Sequence, residues 1–209
     1  MASETRMSGS LAWATLLRPG NCLMGAVGVL LAALICAGPD TLMDYLVEVA
    51  LSMFVVASFT GAGNALNDYF DRDVDKVAHP ERPIPMGAVS PRNALWLSLV
   101  LFSASVVVSA FVNAWSFLIV ITSVGLMAAY ELLLKAEGLA GNLTISWLTG
   151  ALFLFGGAAV EMMDVAWVLA ALAFLATLGR EVVKDIQDVK GDRGSRTTLP
   201  MRLGLKRAG

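Results

Sequence analysis

Six apolar stretches, each close to the length that crosses a bilayer, follow one another with only short polar breaks between them. A helix needs about 20 mainly apolar residues to span a hydrocarbon core of about 30 Å. Such stretches fall near 20–37, 43–66, 94–112, 115–134, 142–160 and 165–184, and the breaks include "AGPD", "VNAW", "KAEGLAGN" and "EMMD". In lipid every backbone polar group has to be satisfied inside its own segment, so this pattern predicts an all-α, polytopic transmembrane helix bundle. Composition agrees: 57% of the 209 residues are hydrophobic, 15% are charged and mean hydropathy is +0.70. An ordinary soluble domain is excluded, and a net charge of −2 gives no reason to expect a nucleic-acid partner.

Charge placement sets the orientation. All 15 Lys and Arg residues lie at the N-terminus, in the second and fourth inter-helix loops, or in the C-terminal segment. The opposite side carries Asp40, Asp44, Glu161 and Asp164. The excess of cations in cytoplasmic loops then places both ends and the even-numbered loops in the cytoplasm. The opening "MASETRMSGSLAWATLLRPGNC" lacks a basic start followed at once by an apolar run, so no removable leader is expected. Within it, "SGSLAWATLL" reads as a short amphipathic stretch lying along the cytoplasmic interface.

Soft metal chemistry has no ligands to work with. Cys22 and Cys36 are fourteen positions apart in one apolar stretch, about 21 Å along a helix. His79 is the only histidine and sits in a turn before Pro80, which fits a structural role. Any metal has to be hard and bound by oxygen.

Two acidic clusters supply that oxygen. Asp68, Asp71 and Asp75 stand at i, i+3 and i+7, which on a helix aligns three carboxylates along one face, with Asn64 and Asn67 extending it and Asp73 pointing elsewhere. Asp185, Asp188 and Asp192 repeat the spacing after the sixth apolar stretch. Each cluster is followed by cations and a proline: Lys76, Arg82 and Pro83 in one, Lys190, Arg193, Arg196 and Pro200 in the other. Like charges so spaced repel unless a cation lies between them. Mg²⁺, held by one or two carboxylates plus phosphate oxygens, is the natural occupant, and the basic side chains suit the same diphosphate. Taken singly, either cluster could be a solvated helix end. The competing class is an ion-coupled transporter, but transporter carboxylates sit near the midplane, whereas these sit at one membrane face.

The motifs "LLRPGNC", "NALNDYFDRDVD", "HPERPIPMGAVSP", "AYELLLK" and "KDIQDVKGD", in this order, resemble the UbiA superfamily of intramembrane prenyltransferases over nearly the whole chain. The family's NDxxDxxxD element matches Asn67, Asp68, Asp71 and Asp75, and its DxxxD element matches Asp188 and Asp192. The resemblance implies a single transmembrane prenyltransferase domain over 1–209, with six spanning helices of the family's usual nine or so, the C-terminal ones being absent. It also implies Mg²⁺-dependent transfer of a prenyl group, geranylgeranyl by the best-matching branch, from its diphosphate to a lipid acceptor. In that branch the acceptor is geranylgeranylglyceryl phosphate, in archaeal ether-lipid synthesis; similarity to chlorophyll synthases around "RPIPMGAVS" keeps an aromatic or chlorin acceptor as the alternative.

For the site, the resemblance implies metal ions held by Asn67, Asp68 and Asp71 on one side and Asp188 and Asp192 on the other, with Asp75 and Asp185 on the same faces. Tyr130 is a candidate for cation–π support of the allylic cation, or an interfacial anchor. Arg72, Lys76, Arg82, Lys135 and Lys184 are candidates for diphosphate contacts, Arg82 favoured because "ERPIPMG" is stiffened by two prolines. Arg18 and Asn21 are candidates for a phosphate on the acceptor. The small-residue runs "GALFLFGGAA" and "GAVGVLLAA" allow either a groove for the lipid tails or close helix contacts, the latter being the reading for most of their residues.

Overall fold

The computed structural model describes residues 9–135 and 137–188, and they fold as a bundle of helices. A short helix, α1 (Gly9–Leu17), precedes α2 (Pro19–Leu42), α3 (Leu46–Ala78), α4 (Pro91–Val112), α5 (Ala114–Ala129), α6 (Gly138–Ala159) and α7 (Met163–Asp188). The six long helices α2 to α7 coincide with the six apolar stretches, as expected of an integral membrane protein.

Two helices outlast the membrane. The 33 residues of α3 rise about 50 Å, against a hydrocarbon core of about 30 Å. Its first twenty residues are long enough to cross, which leaves the remainder, with Asp68, Asp71 and Asp75, beyond that length at one end. The 26 residues of α7 overshoot in the same manner with Asp185 and Asp188.

The break expected at "AGPD" is a kink inside α2 instead. Gly38 takes φ 74, ψ 166, a conformation that a residue without Cβ adopts cheaply. Pro39 then sits in the first turn of the resumed helix, where its missing N–H is not needed. A 3₁₀ turn (Met43–Tyr45) leads directly into α3.

Packing relies on small residues. α3 lies between α2 and α4, and α2 also meets α6, which pairs with α7. A Cβ added at Gly156 would lie 2.5 Å from Ala32 Cβ and 2.9 Å from the Val29 carbonyl, and one at Gly157 would collide with Ala166. The "GGAA" run is therefore the seam where α6 meets α2 and α7, matching its reading from sequence. Serines bind α4 to α3: Ser98 Oγ donates to the Ala62 carbonyl at 2.9 Å and Ser105 Oγ to the Val55 carbonyl at 3.2 Å. Asn113 caps α5 through Ser116 N and donates to the Ala158 carbonyl at 2.7 Å, joining the far ends of α5 and α6.

α1 packs on protein with one face. Ala12 and Leu16 are buried against Ala65, Ile84, Val89 and Ala94, while Leu11 and Trp13 stay exposed.

Candidate active site

The exposed end of α3 gathers cations from three separate segments. Arg18, the residue between α1 and α2, adopts φ 52 and places Nη2 2.5 Å from Asp68 Oδ1. A non-glycine residue at such φ is uncommon and costs conformational energy, which the ion pair and a nearby anchor offset: Asn64 Nδ2 donates to the Leu17 carbonyl at 2.9 Å. Arg82 Nη1 lies 2.6 Å from Asp75 Oδ2 and 3.7 Å from Asp68 Oδ1. Lys135 Nζ lies 2.7 Å from Asp71 Oδ1. Asp68 and Asp75 are buried.

The loop before α4 holds Arg82 rigidly. Pro83, Ile84 and Val89 are buried, the Pro83 carbonyl accepts from Ala88 N and Val89 N, and Gly87 makes the turn at φ 71. His79 Nδ1 lies 3.4 Å from Glu81 Oε1, consistent with a role confined to this loop. The backbone N–H of Glu81 itself, helped by His79 and Arg82, holds the Glu81 carboxyl below its ordinary range.

The chain between α5 and α6 brings the last cation. Tyr130–Leu134 form a π turn closed by Lys135 N donating to the Tyr130 carbonyl at 2.9 Å. Such wide turns recur at functional sites. This one swings Glu131 inward, and its carboxylate is buried, with Oε1 accepting from Asn67 Nδ2 at 3.0 Å and Oε2 from Lys135 Nζ at 3.1 Å. Reasoning from sequence missed Glu131. Its signal was an acid in an apolar run four residues before a lysine, a pair that meets on one helix face.

Below these groups lies a cavity of about 390 Å³ between α3, α5 and α6. Asn64, Asn67, Tyr130 and Glu131 form its polar end, and Val55, Val120 and Phe155 its apolar end. From Val55 to Asn67 is about 18 Å along α3. A larger groove of about 700 Å³ lies on the other side of α3, lined by Tyr69, Phe70, Leu99 and Phe102 among others, and has no acid among its lining residues. Of these two cavities flanking α3, the one on the α5–α6 side has an acid, Glu131, among its lining residues.

Several expected site residues do not join the cluster. Arg72 stacks on Tyr69, 4.7 Å from the ring centroid, and approaches Asp73, while Lys76 Nζ pairs with Asp73 at 2.8 Å. Arg72 follows Asp71 directly, and Lys76 follows Asp75, so a turn of about 100° per residue carries both off the carboxylate face. Asn21 is exposed in the first turn of α2, and exposed Lys184 lies 3.9 Å from Glu181 Oε2. Asp185 is buried and accepts from Asn142 Nδ2 at 2.7 Å. Asp188 ends α7; its side chain, and the whole of Asp192, lie outside the described residues.

The spacing of the acids on α3 predicts a cation beside them, with Mg²⁺ as the natural occupant; in the structure Arg18, Arg82 and Lys135 stand beside them. Among the described residues no three His, Cys, Asp or Glu side chains close around an ion. The oxygen donors on α3 are Asn67, which lines the cavity, and Asp68 and Asp71, one and four residues further along the helix. That suits Mg²⁺, which takes one or two carboxylates and completes its shell from phosphate and water.

Comparison with known proteins agrees with this architecture. The model of the UbiA prenyltransferase family matches residues 22–209. The digeranylgeranylglyceryl phosphate synthase of Thermococcus kodakarensis is 41% identical over 193 residues, covering 91% of this chain and 68% of that enzyme. A solved structure described as giving insight into digeranylgeranylglyceryl phosphate synthase in membranes superposes with a TM-score of 0.87 at 30% identity, covering 97% of this chain and 71% of its own. A UbiA homologue from Archaeoglobus fulgidus, solved with DMAPP and Mg²⁺, shares the fold at a TM-score of 0.70 and 18% identity, covering 94% and 70% of the two chains. The buried carboxylate face at the end of α3, the cavity beneath it and the matched sequence place this chain in the UbiA prenyltransferase family.

Proposed function

We propose that this protein transfers a geranylgeranyl group from its diphosphate to geranylgeranylglyceryl phosphate, the second ether-forming step of archaeal lipid synthesis, at a site facing the cytoplasm. The observation that carries the reading is the polar cluster of Asn64, Asn67, Asp71, Glu131 and Lys135 standing at one end of an apolar cavity. An isoprenyl diphosphate has the same division, an anionic head on an apolar tail. The branch is chosen by the 41% identity to a relative named for that product.

Asp68, Asp71 and Asn67 on α3 would hold Mg²⁺, with Asp188 and Asp192 as the expected second group. A metal held there would supply positive charge to neutralise the departing diphosphate. The chain's own cations take part as well. Lys135 and Arg82, now paired with carboxylates, stand where they can exchange those partners for phosphate oxygens, and the rigid loop keeps Arg82 in place. Arg18, beside Asp68 at the entry to α2, is the side chain for the acceptor's phosphate. The bond from prenyl C1 to the diphosphate oxygen breaks with its electron pair leaving on diphosphate. The acceptor hydroxyl oxygen then bonds to C1 and gives its proton to the released diphosphate. Tyr130, lining the cavity at the polar end, offers a ring face to the allylic cation. Apolar walls exclude water, which would otherwise capture the cation.

Purified protein in detergent is incubated with geranylgeranyl diphosphate and Mg²⁺, with and without geranylgeranylglyceryl phosphate, and released diphosphate and lipid product are measured. Release that requires both supports the reading. Release only with an aromatic or chlorin acceptor keeps the chemistry and changes the substrate. Absence of release with any acceptor refutes prenyl transfer.

A further inference from the structure

Glu131 sits at the polar end of the cavity with its side chain fully buried, yet the transfer described above gives it no task. Both of its oxygens are engaged, Oε1 by Asn67 Nδ2 and Oε2 by Lys135 Nζ. An ionised carboxylate accepts hydrogen bonds and donates none. The Asn67 amide must therefore turn its NH₂ group to Glu131, which leaves Oδ1, on the same carbon, facing the other way. The choice matters because the two ends of an amide are opposite in character. A hard divalent cation takes a carbonyl oxygen as a ligand and is repelled by an NH₂ group.

We infer that Glu131 is a positioning residue, one that locks the Asn67 amide with its oxygen available to the cation that accompanies the diphosphate. The inference rests on the proposed prenyl-diphosphate reading and deepens it. Lys135 makes the lock directional. Its ammonium has only donors, so in a Glu131→Gln variant the new side chain keeps its oxygen toward Lys135 and turns its NH₂ toward Asn67. Two NH₂ groups cannot pair. Asn67 would rotate to accept, and its own NH₂ would then face the cation. Asn67→Asp in the same background removes the choice, since a carboxylate accepts from the introduced amide with one oxygen and offers the other. The double variant also keeps the summed charge of the two positions.

The test measures Mn²⁺ binding by electron paramagnetic resonance in the presence of geranylgeranyl thiolodiphosphate, an analogue that resists cleavage, together with melting temperature in detergent. Glu131→Gln is expected to weaken Mn²⁺ binding about 10-fold, the low end of what outer partners of a ligand contribute, with the double variant returning to within about 3-fold of wild type. Melting temperature is expected to stay near wild type for both. Undiminished binding by Glu131→Gln, or a loss that Asn67→Asp does not recover, overturns the inference, as does a loss matched by a fall in melting temperature. Should the wild type itself fail to bind Mn²⁺ with the analogue, the proposed function falls and takes this inference with it. Normal wild-type binding with an unaffected Glu131→Gln removes the inference alone.

Discussion

At the end of α3, Asp68, Asp71 and Asp75 each face a cation brought from another segment, whereas at the end of α7 Asp185 faces the neutral amide of Asn142. The spacing in sequence is the same and the electrostatic solution differs. Burying a carboxylate costs free energy that a paired cation offsets by Coulomb attraction. A hydrogen bond from a neutral amide satisfies the oxygen but cancels no charge. The α3 face is therefore close to balanced before any substrate arrives, and a diphosphate with its metal has to displace existing partners. The α7 face, on the described part of it, has no such built-in counter-charge.

Substitutions that neutralise single acids test this contrast. The largest effect is expected for Asp68→Asn, a loss of about 100- to 1000-fold in the initial rate of diphosphate release, the scale of removing one preorganised electrostatic group. Retained activity there would remove Asp68 from the site. Next comes Asp75→Asn, which takes the nearer of its two carboxylates from the Arg82 guanidinium and should cost roughly 1–3 kcal/mol of stability, between the limits for exposed and fully buried pairs. Thermal unfolding in detergent reads it. Asp185→Asn should cost less, about 1 kcal/mol or under, because an amide can still accept from Asn142 and no cation is stranded. Equal losses for Asp75→Asn and Asp185→Asn would abolish the distinction between the two faces. Smallest of all, Arg72→Gln with Lys76→Gln should leave the rate within about twofold and stability within about 0.5 kcal/mol, since both belong to the exposed Asp73 side. A marked fall in rate would return them to the diphosphate.

Much of this was legible in the sequence because it depends on period and length. The apolar runs located all six long helices, and the i, i+3, i+7 spacing put Asp68, Asp71 and Asp75 on one face with Asp73 off it. The same geometry, applied to Arg72 and Lys76, would have set them beside Asp73. What could not be read is which distant group meets which acid. Arg18 is 50 residues from Asp68 and Lys135 is 64 from Asp71, so those pairs arise from how helices cross. Glu131 stayed hidden for a related reason: it lies in a π turn, and its partner Asn67 is 64 residues away. Gly38 was read as a stop because glycine and proline usually end a helix, whereas here the pair bends one.

The left-handed turn at Arg18 also bears on how the protein is made. A chain that leaves the ribosome N-terminus first delivers α1 and Arg18 before either of their anchors exists. The Leu17 carbonyl waits for Asn64, 47 residues later, and the Arg18 guanidinium waits for Asp68. Until α3 has crossed the membrane and emerged, α1 has only the lipid surface to rest on, with Trp13 and Leu11 turned outward. α1, made before α2 and α3, is thus among the later helices to be fixed, and the corner at Arg18 closes when α3 arrives to receive it.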